Sequence, residues 1–285
     1  MKTNKDYLVM HALSGRITHP VLSGSGYRVG YDGIGRINLG TGGITYNFKL
    51  GDTAMSIVGD HVEPGVSIKN VHDDQNNALQ TFACIGNTAR VMNGDAKGAT
   101  GFVTGKHGGI DHVIIYFKQQ DLEKLAIDDT IQIRSFGQGL KLHDFDEIQV
   151  MNIDPDLLTH LEISETAHEL DICVTHVIPS HLMGSGTGSA TLFSGDYDIM
   201  TQDPIEVEKY KLSSLRFGDI VYIENNDCTY GPHYKNDYAT IGVIVHSDSF
   251  TSGHGPGVCV IMSGPSSILK PKISASANIA NYLNI

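Results

Sequence analysis

Ile241-Gly242-Val243-Ile244-Val245 and Val113-Ile114-Ile115-Tyr116-Phe117 are among the longest apolar runs in the chain, and they decide its fold class. Each is the length of a strand and far below the ~20 residues that cross a bilayer as a helix. Working outward, segments of the same kind occupy residues 90–92, 101–104, 130–134, 171–178, 220–224 and 258–262, each short, apolar or alternating, and bounded by Gly, Asp or Asn. Helical signals are few. Asp154-Pro155 and Asp203-Pro204 each place a capping carboxylate before a proline at the first helical position, predicting short helices over 156–161 and 205–210, with a third over 120–126. The expected fold is mainly β with a few short helices, barrel- or sandwich-like, in two similarly sized parts.

We place these parts at 1–145 and 146–285, because residues 141–147 are polar and charged. The first part includes an SH3-like hairpin near 84–117, turning at Gly94-Asp95-Ala96-Lys97-Gly98. Leu50-Gly51-Asp52, Ile127-Asp128-Asp129 and Phe217-Gly218-Asp219 share one grammar, in which a turn with an acidic tip opens a strand.

The net charge of −12 across 285 residues opposes phosphate attraction, so nucleic acid is an unlikely partner. The hairpin offers only Arg90, Lys97 and Lys106 against that balance. No apolar signal core follows the polar start 1–6, and no span is long enough for a membrane, which predicts a cytoplasmic protein. Self-association is left open. Cys84, Cys173, Cys228 and Cys259 form no C-x-x-C pair and read as buried free thiols, with Cys84 the first to test as a nucleophile. Ser185 and Ser249 have no stronger support in that role.

Fourteen histidines are the most unusual feature of the composition. Several sit beside glycine or an acid at the mouths of expected strands, where a rigid scaffold holds reactive groups. His61, His107, His246 and His254, with Asp60 or Asp248, are the candidate ligands of a divalent metal, since such an ion takes three or four imidazoles and carboxylates converging from different loops. Glu63 and His176 are the candidate general bases. His11, His19, His72, His143, His160 and His168 lie in polar settings and are set aside. No H-E-x-x-H and no nucleotide-binding loop occurs. Asp196 and Asp198, two apart in Gly195-Asp196-Tyr197-Asp198, would share a face of a strand and could bind a metal or share a proton. Gly42 and Gly43, and Gly184-Ser185-Gly186, could cradle a ligand with backbone N–H groups or cover it as a lid.

Thr41-Gly42-Gly43-Ile44-Thr45-Tyr46-Asn47, Gly59-Asp60-His61-Val62-Glu63-Pro64-Gly65, Thr104-Gly105-Lys106-His107-Gly108-Gly109, Phe136-Gly137-Gln138-Gly139-Leu140, Phe217-Gly218-Asp219-Ile220 and Gly253-His254-Gly255-Pro256-Gly257-Val258 together resemble a prokaryotic family, domain of unknown function 4438. The resemblance spans essentially the whole chain. It implies a two-part, strand-rich cytoplasmic protein and brings no activity with it. The Gly-Asp turns and residues 195–198 also resemble, much more faintly, amidases of formamide-like substrates. The leading expectation is a metal-assisted hydrolase of a small amide or ester, acting on C–N bonds in the amide case. The alternatives are a non-catalytic binder of a small metabolite or metal and, third, an RNA-associated barrel.

Overall fold

The computed structural model describes residues 1–22 and 26–285. Strand dominates, as the short apolar runs require, and the first half closes on itself. His11–Ile17 pairs with Thr130–Ser135 along one edge and, through Arg16 and Ile17, with Gly65–Lys69 along the other. Thr88–Val91, Thr100–His107 and His112–Tyr116 fill the gap between these partners, giving a closed six-stranded barrel to which Ile44–Thr45 adds an outer rung. Closure leaves no strand edge unpaired around the ring.

The strand His112–Tyr116 shows why the run at 113–117 is apolar without interruption. Val113 and Ile115 belong to the barrel core with Ile17, Val66, Ile68, Val103 and Ile133. Ile114, between them, belongs to the second, larger core with Val243, Ile244 and Val260. Successive side chains on a strand point to opposite faces, so a strand shared by two cores must be apolar at every position.

The second half builds a sheet in the order Gln149–Val150, Gly257–Pro265, His233–His246, Ile220–Asp227, His176–Pro179, with Tyr197–Asp198 also pairing onto Gly257–Pro265. A smaller sheet joins Ile163–Glu165, Leu170–Val174 and Leu269–Ile273. The barrel strand Thr100–His107 packs against His233–His246, and the contact is close because Gly105 leaves room for Val245 where any Cβ would overlap it. Each of these two strands carries a bulge just before its end, between Val103 and Gly105 and between Ile244 and His246, and each ends in a histidine.

The short helices form where their caps announce them. Asp154 and Asp203 accept hydrogen bonds from the N–H groups of Asp156 and Ile205, and the helices run Pro155–His160 and Pro204–Lys209. The third is shorter than expected, Gln119–Leu122. The longest helix, Asp73–Phe82, was not expected, because its only apolar residues are Ala78, Leu79 and Phe82. Leu79 reaches the barrel core, and Asn76 ties the helix to Asn70 N–H and to Asp111 O.

The shared turn grammar is one hydrogen-bonded unit used three times. Asp52, Asp129 and Asp219 each accept, at 2.9 Å, the N–H three residues earlier, from Lys49, Ala126 and Arg216. The residue before each aspartate has positive φ: Gly51, Asp128 and Gly218. The second and third open strands. The first does not, and Thr53 makes only an isolated bridge to Arg216.

All four cysteines are buried free thiols. Burial pushes Cys84 up to about 12, which removes it as a thiolate nucleophile at neutral pH. Lys106 is fully buried, so the segment 84–117 presents fewer cations than its sequence offers. No helix among the described residues is long and apolar enough to cross a membrane.

Candidate functional site

The two terminal histidines meet where the halves cross. His107 and His246 pack with ring centroids 4.2 Å apart, and His61 lies 5.6 Å from His107 and 5.0 Å from His246. His254 completes the group, 5.0 Å from His61. Four of the expected metal-binding histidines therefore converge, although as many as 193 residues separate His61 from His254.

Strand register adds the acids. Gly257 is paired with His246 on one side and with Asp198 on the other, so these three residues form one row across three strands. A Cβ on Gly257 would overlap both His246 and Asp196, and glycine here is what lets an imidazole and two carboxylates meet across the middle strand. His246 Nε2 lies 2.8 Å from Asp196 Oδ2 and 3.6 Å from Asp198 Oδ1. Asp198 Oδ2 lies 3.0 Å from His254 Nδ1 and 3.5 Å from His61 Nε2.

Three rings have Nδ1 turned to an acceptor. His246 Nδ1–H donates to Ser247 O at 2.9 Å, His107 Nδ1–H donates to Glu63, and His61 Nδ1 lies 3.1 Å from Asp60 Oδ2. A donor bond at Nδ1, as His107 and His246 make, leaves Nε2 as the atom a metal would take once that atom carries no proton. His61 has φ +52, a left-handed conformation for a non-glycine residue. It is held there because Asp60 N–H bonds Leu39 O, Val62 N–H bonds Ser247 Oγ and Ser249 Oγ–H bonds Asp60.

The electrostatics follow the same geometry. Burial works against charge on His246, but Asp196 and Asp198 outweigh it and hold the imidazole well above its ordinary range. Burial likewise opposes ionisation of Asp198, and His246, His254 and His61 overcome it and keep the carboxyl well below its ordinary range.

All of these groups but His246 line a cavity of about 490 Å³. His61, His107, His254, Asp196 and Asp198 form its floor, and Ser185, Gly186, Ser189, Thr191 and Ser194 supply much of the rest of its lining. Lys106, the residue before His107, donates to Asn152 Oδ1 at 2.7 Å and to Phe193 O at 2.6 Å, while Asn152 Nδ2 donates to Leu192 O. Burial lowers the Lys106 pKa, and together the pair clamps the cavity wall at 192–193 onto the barrel.

Other expected site residues fall elsewhere. His176 stands apart, bonded to Thr175 Oγ1 at 2.8 Å and Ser214 Oγ at 2.9 Å, and it lines a different cavity with Lys209, Lys211 and Arg216. It cannot act as base at the histidine cluster. Asp248 turns its carboxylate to Ser56 N–H at 3.0 Å and contributes its backbone carbonyl to His61 N–H, so it supports the cluster without joining it.

Glu63 is adjacent but spoken for. It accepts from His107, His112, Ser67 and the N–H of Gly42, and His107 and His112 outweigh its complete burial to hold it well below the ordinary carboxylate range. It orients His107 and is not a free base. Gly42 thus serves Glu63, and Gly43 N–H bonds Thr18, so neither cradles a ligand. Ser185 and Gly186 line the cavity as expected, while Gly184 packs under Gly253 and bonds Asp198 O. Ser249 is spent on Asp60.

His112 was missed because it opens the apolar run 113–117 and reads as part of that strand, although Asp111 stands directly before it. The signal that could have found it is the pair of histidines five apart flanking one hairpin turn, His107 and His112, which face each other in register.

The N-terminal model of DUF4438, a domain of unknown function, matches residues 27–159, and its C-terminal model matches residues 160–283. The chain belongs to the DUF4438 family. A crystal structure of a protein designated TM1086 is similar to this DUF4438 chain with a TM-score of 0.95 at 46% identity, covering 99% of each chain. No protein of curated function matches.

Proposed function

We propose that this DUF4438 protein is a metal-assisted hydrolase acting on a small, uncharged amide- or ester-like substrate. One observation carries the reading. Asp196 Oδ2, Asp198 Oδ2 and His246 Nε2 are buried, close to one another or to His254 and His61, and none has a hydrogen-bond partner. Contacts of about 3 Å without hydrogen-bond alignment are what donor atoms show when they aim at a common point instead of at each other. Ligand atoms 2.0–2.2 Å from a tetrahedral ion lie about 3.3 Å apart. The triangle of His61 Nε2, His254 Nδ1 and Asp198 Oδ2 has sides of 3.0, 3.0 and 3.5 Å, and its His61–His254 side is a hydrogen bond that an ion would replace.

A divalent ion held there would polarise a carbonyl and lower the pKa of a bound water to about 7. His107, held at Nδ1 by Glu63 and lining the cavity, would take the proton of the attacking water as its oxygen bonds to the carbonyl carbon. It would then return that proton to the leaving nitrogen or oxygen as the old bond breaks. Among the described lining residues there is no Lys or Arg, and the hydroxyls and the Gly108 and Gly109 backbone suit a neutral polar molecule better than an anionic metabolite. An open cavity beside the donors supports substrate access over a purely structural ion, whose site would be closed.

The test uses tag-free protein. Bound metal is measured by elemental analysis, and a panel of small amides and esters is assayed with and without chelator. Metal at no more than background, or hydrolysis that chelator leaves untouched, would overturn the proposal.

A further inference from the structure

Resting on the metal reading above, we propose that the site is dinuclear, with Asp198 bridging two divalent ions. His61, His254 and Asp198 Oδ2 hold the first, while His246, Asp196 and Asp198 Oδ1 hold the second.

Both triads exist independently in the geometry. In each, every residue offers one ligand atom and these atoms lie within 4.8 Å of one another, and Asp198 is the one residue common to both. Its two oxygens meet different rings: Oδ2 lies near His61 and His254, Oδ1 near His246. A single ion in the first triad would leave Asp196 Oδ2 and His246 Nε2, 2.8 Å apart, buried and without a hydrogen bond, which is costly in the interior. A second ion satisfies both. A shared carboxylate also sets the ion spacing of two-metal hydrolytic sites, ~3.5–4 Å.

Charge supplies a separate argument. Asp60, Glu63, Asp196 and Asp198 are all buried in this cluster. Among the described residues, the one Lys or Arg within ion-pair distance of any of them is Arg28, 3.9 Å from Asp60. Four buried carboxylates need compensating positive charge, and two divalent ions would bring it while using the imidazoles as ligands.

The experiment is a zinc count on the full-length, tag-free protein, stripped with chelator, reloaded with excess Zn²⁺ and passed through gel filtration. Two zinc ions per chain are expected for the wild type and one for D196N, whose side chain keeps its shape and loses its charge. Loaded with Mn²⁺ instead, the wild type should show the broad electron-spin signal of a coupled pair, and D196N the six-line signal of an isolated ion. One zinc per wild-type chain overturns the dinuclear site and leaves the metal reading standing. None overturns both. The wild-type count decides the matter even if D196N folds poorly.

Discussion

Two buried carboxylate clusters lie side by side in this protein and are finished differently. Glu63, from the barrel half, has its donors supplied by His107, His112, Ser67 and Gly42. Asp196 and Asp198, from the other half, each keep a buried oxygen without a hydrogen bond. Both are fixed by closely packed strands and loops, so loose packing does not explain the contrast. A carboxylate with every donor in place is a positioning device, whereas one left short beside imidazoles is the kind of group on which the proposed metal site depends.

The largest expected effect comes from removing the shared acid. D198N should lower zinc affinity by more than the ~10–100-fold typical of losing a residue that merely orients a ligand, measured by competition with a zinc-binding dye. Wild-type affinity in D198N would erase the distinction between the clusters.

E63Q tests the other side. Replacing the carboxylate leaves the Nδ1–H groups of His107 and His112 facing a side chain that can no longer accept from both, so unfolding free energy should fall by about 3 kcal/mol. Zinc affinity should fall by only ~10–100-fold. Denaturant titration and dye competition on the same preparation separate the two numbers, and an affinity loss as large as that of D198N would make Glu63 a ligand.

A smaller change sharpens how tightly Glu63 must be held. Gly42 has φ +81 and donates its N–H to Glu63, and a Cβ there would lie 3.0 Å from His112 Cε1 and from His19 O. G42A should cost about 1–2 kcal/mol from the left-handed backbone alone. Zinc affinity should change less than in E63Q, and a loss matching E63Q would show that the Gly42 N–H governs the orientation of the ring.

His176 serves as a control outside both clusters, and its effect should be the smallest. Burial lowers its pKa in the folded protein, so below the ordinary imidazole value of 6.5 the unfolded chain binds the proton more readily. Its contribution to stability is therefore full above that value and is lost as pH falls toward the folded pKa. H176Q should flatten the decline of the melting temperature between about pH 7 and pH 5 without changing zinc binding. A change in zinc affinity would return His176 to the site.

Much of this was readable before any coordinates. The runs at 113–117 and 241–245 are strands because β-branched side chains need two apolar faces, and Asp154-Pro155 and Asp203-Pro204 start helices because a capping carboxylate and a fixed proline φ act locally. His61, His107, His246 and His254 stood out because loop glycines and acids flank them, and the structure brings these four together.

Which partner each residue meets was decided only by the tertiary structure. That Asp198 lies opposite Gly257, and Gly257 opposite His246, is a matter of strand register, which pairs Gly257 with a residue 59 positions earlier on one side and 11 positions earlier on the other. That Glu63 is an anchor and not a base depends on two histidines delivered by a hairpin more than 40 residues away, and His176 is excluded because the parallel pairing of its strand with Ile220–Asp227 directs it to Ser214. Sequence fixes what a side chain can do within a turn or a strand. Burial, register and the closure of the barrel determine which side chains share a cavity, because those depend on contacts between residues far apart in the chain.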